Sequence, residues 1–161
     1  MAYIAKSLLF NDRESRMTGM TKALLAASIT FVMAGCTSVQ VQPLERMSYL
    51  DTVCIERNEA VIVPGFLSVI KRGFSRNGLN TRVYDAPVPG HCEVILTYTA
   101  LRSWDVTTYL SHAELWLNDP YGDEIAYAQY HLVAGGGLTS SKFAGVETKM
   151  NPVIDDLLVN Y

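Results

Sequence analysis

The sequence predicts an α+β domain: a mixed, mainly antiparallel sheet of four to five strands with two helices on one face, in the order β-α-β-β-β-β-α. Three observations carry this expectation. Two segments, one early and one at the end of the chain, repeat apolar residues at helical spacing. Several segments between them alternate apolar and polar residues at period two. Clusters of Gly, Pro, Asn and Asp separate those segments closely enough for neighbouring strands to fold back on one another. Helices set apart from a run of strands belong to a layered α+β arrangement.

In chain order, Tyr49 to Ile55 reads as the first strand. Val63, Leu67, Ile70 and Phe74 then recur at spacings of four, three and four, which places them on one helical face. Pro64 suits that helix's first turn, Asn77-Gly78 its end, and Lys71, Arg72 and Arg76 the negative end of its dipole. Asn80 to Tyr84 is a short polar strand closed by Ala86-Pro87-Val88-Pro89-Gly90. A first strand–helix–strand unit of this kind crosses over right-handed.

The longest strand candidate runs from Cys92 to Ser103, with Val94, Leu96, Tyr98 and Ala100 on one side. Leu110 to Leu117 follows, alternating through Ala113, Leu115 and Leu117. The turn-rich Asn118 to Asp123 sends the chain straight back into Glu124 to Leu132, where Ala126, Ala128, Tyr130 and Leu132 share a face. Gly135-Gly136-Gly137 and Ser140-Ser141 read as a long loop. The final helix carries Met150, Val153, Ile154, Leu157 and Leu158 on one side. Asn151-Pro152 is expected as its cap and first turn, with Asp155 and Asp156 near the positive end of the dipole.

Upstream of this domain, Val32-Met33-Ala34-Gly35-Cys36 closes an 11-residue apolar run, Ala23 to Met33, that follows Lys22. A bilayer-spanning helix needs about 20 apolar residues, so the run has the length of a signal-peptide core. Its ending matches the bacterial lipobox, in which the cysteine is acylated and becomes the first residue of the processed chain. The expected division is a leader at 1–35, a lipidated tether at 36–48 and a single periplasmic domain at 49–161. Met17 and Met20 lie where such a leader would start, so residues 1–16 exceed what it needs. Thr37 follows the cysteine where Asp would signal inner-membrane retention in proteins of this type, which favours the outer membrane. A single acyl chain anchors weakly and stable attachment takes two or more, a need that the triacylation of this class meets.

The full chain carries a formal charge of −3. Removing the leader's four basic and two acidic residues leaves nine against fourteen, a formal −5. Such a domain has no electrostatic pull on nucleic acid or anionic headgroups, so its membrane contact is expected through the lipid. Cys54 and Cys92 are the other two cysteines. In an oxidising compartment they are expected to pair, late in the first strand against the start of the third, with those strands as antiparallel neighbours. The alternative is two small buried apolar residues. No Cys-x-x-Cys spacing marks a redox pair, and His91 beside Cys92 lacks companion ligands.

If the helices cover the Val94/Leu96/Tyr98 side, period two assigns the opposite side to Thr97, Thr99 and Leu101, to His112, Glu114 and Trp116, and to Tyr127, Gln129 and His131. Trp104-Asp105 stands at its rim. This aromatic–polar surface reads either as a recognition face or as a solvated sheet face stabilised by cross-strand pairs. Ser111 and His112 are neighbours on a strand, point to opposite faces and cannot act as nucleophile and base. His112, Glu114 and His131 have the number and types for three zinc ligands, without any motif. The triple glycine lacks the strand-to-helix setting of a phosphate loop. The expectation is a non-enzymatic accessory or binding protein without cofactor or metal, partnered by an envelope protein or glycolipid. A metal-dependent periplasmic enzyme using His112, Glu114 and His131, or a purely structural envelope component, are the alternatives.

Four blocks resemble a family of small lipoproteins from Shewanella-like marine gammaproteobacteria. They are Leu96 to Asp105, Tyr109 to Leu115, Ala126 to Leu132 and Thr148 to Asp155. The likeness extends over nearly the whole processed chain, including the positions of Cys36, Cys54 and Cys92. It implies an acylated envelope protein and carries over no active-site or binding residues.

Overall fold

A computed structural model describes residues 37–133 and 140–161. The expected leader, the acylated Cys36 and the Gly135-Gly136-Gly137 run lie outside the described residues. The architecture is the expected α+β class, with one more strand than the sequence announced. Strands β1 (Thr37–Gln42), β2 (Thr52–Glu56), β3 (Asn80–Tyr84), β4 (Ile95–Trp104), β5 (Thr108–Asn118) and β6 (Glu124–Leu132) join helices α1 (Phe66–Arg76) and α2 (Val146–Leu157). The sheet has the order β1-β6-β5-β4-β2-β3.

The additional strand is β1. Residues 37–42, expected as part of a tether, pair antiparallel with β6 from Thr37↔Leu132 to Gln42↔Tyr127. Residues that follow are also fastened. Leu44 is fully buried and its N–H donates to the Leu157 carbonyl, while the Met47 N–H donates to the Tyr161 hydroxyl. Val39 and Val41 do alternate with Ser38, Gln40 and Gln42, but two valines in six residues are a short signal, and Val39 stays 46% exposed at the sheet edge.

β2 and β4 are neighbours, as the cysteine pairing required, but they run parallel and not antiparallel (Cys54↔Ile95, Ile55↔Leu96). β2 also pairs parallel with β3. β4, β5 and β6 form the antiparallel meander. β4 starts at Ile95, three residues later than expected, because Cys92 is held in a turn by its N–H bond to the Pro89 carbonyl.

One core serves the whole domain. Val53 and Ile55 of β2, Leu96, Tyr98 and Ala100 of β4, Ala113, Leu115 and Leu117 of β5, and Ala126, Ala128 and Tyr130 of β6 meet both helices. Helix α1 begins after Gly65, which takes the left-handed φ of 75° that only glycine adopts cheaply, so Pro64 precedes the helix rather than opening it. Its buried face is Phe66, Val69, Ile70, Gly73 and Phe74, with Leu67 only half-buried. The Asn77-Gly78 stop behaves as expected. Gly78 has φ 83°, its N–H bonds to the Ser75 carbonyl, and the Leu79 N–H reaches back to Phe74, closing a Schellman motif.

Helix α2 corrects a sequence expectation. It starts after Gly145, so Asn151-Pro152 lies inside the helix and not at its start. Pro152 removes one helical hydrogen bond, and the burial of Lys149, Met150, Val153, Ile154 and Leu157 holds the helix through it. Asp155 and Asp156 therefore fall at the negative end of the dipole. Asp155 is compensated by Arg76, 2.6 Å away, and by Asn77 at 2.9 Å. Burial works against the carboxylate, but the hydrogen bonds from Asn77 and Arg76 and the arginine charge hold it below its usual pKa.

Candidate functional site

The face of the sheet opposite the helices is built by strict alternation. Register lines up Thr97, Trp116, Tyr127 and Gln42 across β4, β5, β6 and β1. The next row is Thr99, Glu114, Gln129 and Gln40, and the third is Leu101, His112, His131 and Ser38. All nine residues expected on this side (Thr97, Thr99, Leu101, His112, Glu114, Trp116, Tyr127, Gln129 and His131) sit together on it. The sequence reading missed the Gln42, Gln40 and Ser38 column because it missed β1.

The side chains are tied to one another. The Trp116 and Tyr127 rings pack with centroids 5.9 Å apart and planes tilted by 39°. The Tyr127 hydroxyl donates to Glu114 Oε1 at 2.9 Å, and Gln129 Nε2 donates to the same oxygen at 3.0 Å. His112 Nε2 lies 3.5 Å from that oxygen. On its other side His112 Nδ1 is 3.2 Å from His131 Nδ1, with one ring's edge toward the other's face. In such a contact one imidazole donates and the other accepts.

The charge state follows from these contacts. Partial burial works against the Glu114 carboxylate, yet the hydrogen bonds from Tyr127 and Gln129, with the charge and hydrogen bond of His112, carry its pKa below the ordinary carboxylate range. Desolvation and the adjacent carboxylate push the Tyr127 phenol up to about 12. The face therefore presents a fixed anion with its acceptor oxygen crowded by donors, beside a Trp–Tyr pair. His112, Glu114 and His131 are brought together, but not around a common point. Glu114 contacts the ring end of His112 away from His131. Among the described residues no group of three or more His, Cys, Asp or Glu side chains is placed to hold a metal ion.

Elsewhere the Cys54–Cys92 disulfide is formed, with Cα atoms 5.9 Å apart. It borders a cleft of about 260 Å³ shared with Tyr84 and His91, whose side chains meet at 3.4 Å. Sequence reasoning also missed two buried cations behind the sheet. Lys149 Nζ donates to the carbonyls of Leu110 (2.9 Å) and Lys142 (2.6 Å), and burial pushes its pKa down. Lys142 Nζ donates to Asp105 Oδ2 at 2.7 Å, lies 4.8 Å from the centre of the Tyr109 ring, and the Asp105 bond raises its pKa. The nearby Tyr130 hydroxyl is buried without a hydrogen-bond partner among the described residues. Neither lysine shows in the hydrophobic pattern: Lys149 is a polar residue on the buried face of α2, and Lys142 lies in a four-residue turn too short to have a period.

Trp104 and Val106, at the tip of the β4–β5 hairpin, are 75% and 84% exposed. No helix among the described residues is long and apolar enough to cross a membrane.

No protein-family model matches the sequence, and no curated protein matches it. Among solved structures the chain is similar to the PelC dodecamer from Paraburkholderia phytofirmans, at 12% identity and a TM-score of 0.55, over 76% of this chain and 97% of that one. A point variant of that dodecamer gives 14% identity and a TM-score of 0.46, over 73% and 96%. At such identity the first likeness concerns the fold alone, and the second carries no argument.

Proposed function

We propose that this chain is an outer-membrane lipoprotein, acylated at Cys36 with its domain facing the periplasm. It acts without catalysis by binding an envelope protein or glycolipid through the open face of its sheet. The observation that carries the binding reading is the tied cluster of Trp116, Tyr127, Glu114 and Gln129. Binding normally costs the ordering of interface side chains, about 0.5–1.5 kcal/mol for each flexible one. Here the hydrogen bonds to Glu114 Oε1 and the Trp116–Tyr127 contact have already ordered them. Tryptophan and tyrosine are also the residues on which interface energy concentrates.

Acylation rests on the lipobox, and an intact-mass measurement of the processed protein tests it. The test of the face is recovery of crosslinked partners from solubilised envelopes by wild type and by a Trp116→Ala, Tyr127→Ala variant. A specific partner lost in the variant, with thermal stability kept, supports the reading; unchanged recovery refutes it. The PelC neighbour is a dodecamer, so a second copy of this chain is the first partner to look for.

A further inference from the structure

We propose that the end of the sheet at which β1 begins rests directly on the lipid surface, with Trp104 and Val106 at the tip of the β4–β5 hairpin embedded among the headgroups. This inference rests on the acylated Cys36 of the proposed function and adds the orientation of the domain. Pairing with β6 starts at Thr37, so one peptide unit separates the anchor residue from the sheet. A residue reaches about 3.3–3.6 Å when fully extended, which leaves no slack between an acylated Cys36 and β1. The end of the sheet carrying Thr37 must then lie at the membrane.

Topology decides what else is at that end. β4 runs toward it, β5 away, β6 toward it and β1 away, because each pair along β4-β5-β6-β1 is antiparallel. Relative to the row of Leu101, His112, His131 and Ser38, Thr37 lies one residue farther out and Trp104 three. At about 3.3 Å per residue the hairpin tip projects roughly 7 Å past Thr37, toward the bilayer. Its exposed side chains are the kind that such depth favours. Trp104 and Val106 are 75% and 84% exposed, and Val133 and Phe143 add apolar surface at 45% and 38%. Amphipathic aromatic rings concentrate at the headgroup level. The charges agree: the hairpin's Asp105 is neutralised by Lys142 at 2.7 Å, and the exposed Arg102 on the same strand end is cationic. The open face of the sheet then stands roughly upright on the membrane, accessible from the side.

The test uses fluorescence quenching by lipid. Trp116→Phe leaves Trp104 as the single tryptophan of the two in the chain. The processed protein is reconstituted into phosphatidylethanolamine–phosphatidylglycerol vesicles carrying brominated acyl chains. A control places the single tryptophan at Tyr121, in the β5–β6 turn at the opposite end, by Trp104→Phe, Trp116→Phe, Tyr121→Trp. A parallel arm couples the unacylated processed chain to a maleimide lipid through the Cys36 thiol, so that anchoring does not depend on natural acylation. Trp104 emission is expected to fall at least about twofold in both arms, as for an interfacial ring, with the residue-121 reporter unchanged. Trp104 quenched no more than that reporter in the coupled arm overturns the orientation. An intact mass without acyl groups overturns the lipoprotein reading alone.

Discussion

Gly73→Ala tests how closely the two helices are fitted. Gly73 is buried in α1, and a Cβ built on it stands 2.7 Å from Ile154 Cγ2, 2.9 Å from Cδ1 and 3.3 Å from Cβ of α2. Carbon atoms prefer about 3.5–4.0 Å, so the new methyl needs close to 1 Å of relief. Ile154 cannot supply it by rotating. Its β-branched χ1 is nearly fixed in a helix, and the side chain is fully buried. Overpacking of this kind costs about 1–3 kcal/mol. Against it stands the helix-propensity gain of Ala over Gly, about 1 kcal/mol. The expected net is a destabilisation of up to about 2 kcal/mol, read as a lower urea midpoint at unchanged m-value. In an Ile154→Ala background, itself costing about 2–5 kcal/mol, the clash is gone and Gly73→Ala should reverse sign and stabilise. If Gly73→Ala stabilises the wild-type domain by the full propensity gain, the close helix contact is refuted.

Three further outcomes follow from named contacts. Replacing Cys54 and Cys92 together by Ala opens a loop with sequence separation 38. The chain-entropy model values that closure at about 4 kcal/mol, so urea unfolding should show a loss of about 2–5 kcal/mol, and a loss under about 1 would contradict it. Asp155 has its folded pKa held below the unfolded value, so its contribution is present above the unfolded pKa and lost as pH falls through the folded one. Asp155→Asn should therefore lower stability near neutral pH and flatten its decline in acid, seen in urea titrations across the acid limb; an unchanged acid limb would count against the Arg76 pairing. Tyr127 should keep its phenolic proton up to about 12, and Glu114→Gln should bring it back toward the ordinary tyrosine range, read by carbon NMR of labelled tyrosine. No movement of that resonance would mean Glu114 does not receive the hydroxyl proton.

Much of this structure was legible because burial is one-sided. β3 and β6 were bounded correctly, and the open face was assigned residue by residue, since alternation leaves no freedom once the Leu96/Tyr98 side is known to face the helices. The failures have physical causes. β1 alternates, Val39 and Val41 against Ser38, Gln40 and Gln42, but a six-residue edge strand with only two apolar side chains reads equally as a polar tether. Asn151-Pro152 looked like a helix start because local capping chemistry favours it, and tertiary burial of Lys149 and Met150 overrode that preference. The parallel sense of β2 and β4 was invisible because a disulfide brings its ends close in either direction. Spacing also brought His112, Glu114 and His131 together correctly, but the direction of each ring decides whether they share a ligand, and a one-dimensional pattern does not hold that information.

Whether the open face of the sheet binds a partner is decided by photo-crosslinking in living cells. A photoreactive amino acid is placed at Trp116, at Tyr127 and, as a control on the helix side, at exposed Lys71. A discrete crosslinked species is expected from positions 116 and 127 and not from 71. No adduct from the sheet face, or the same adducts from all three positions, would contradict it.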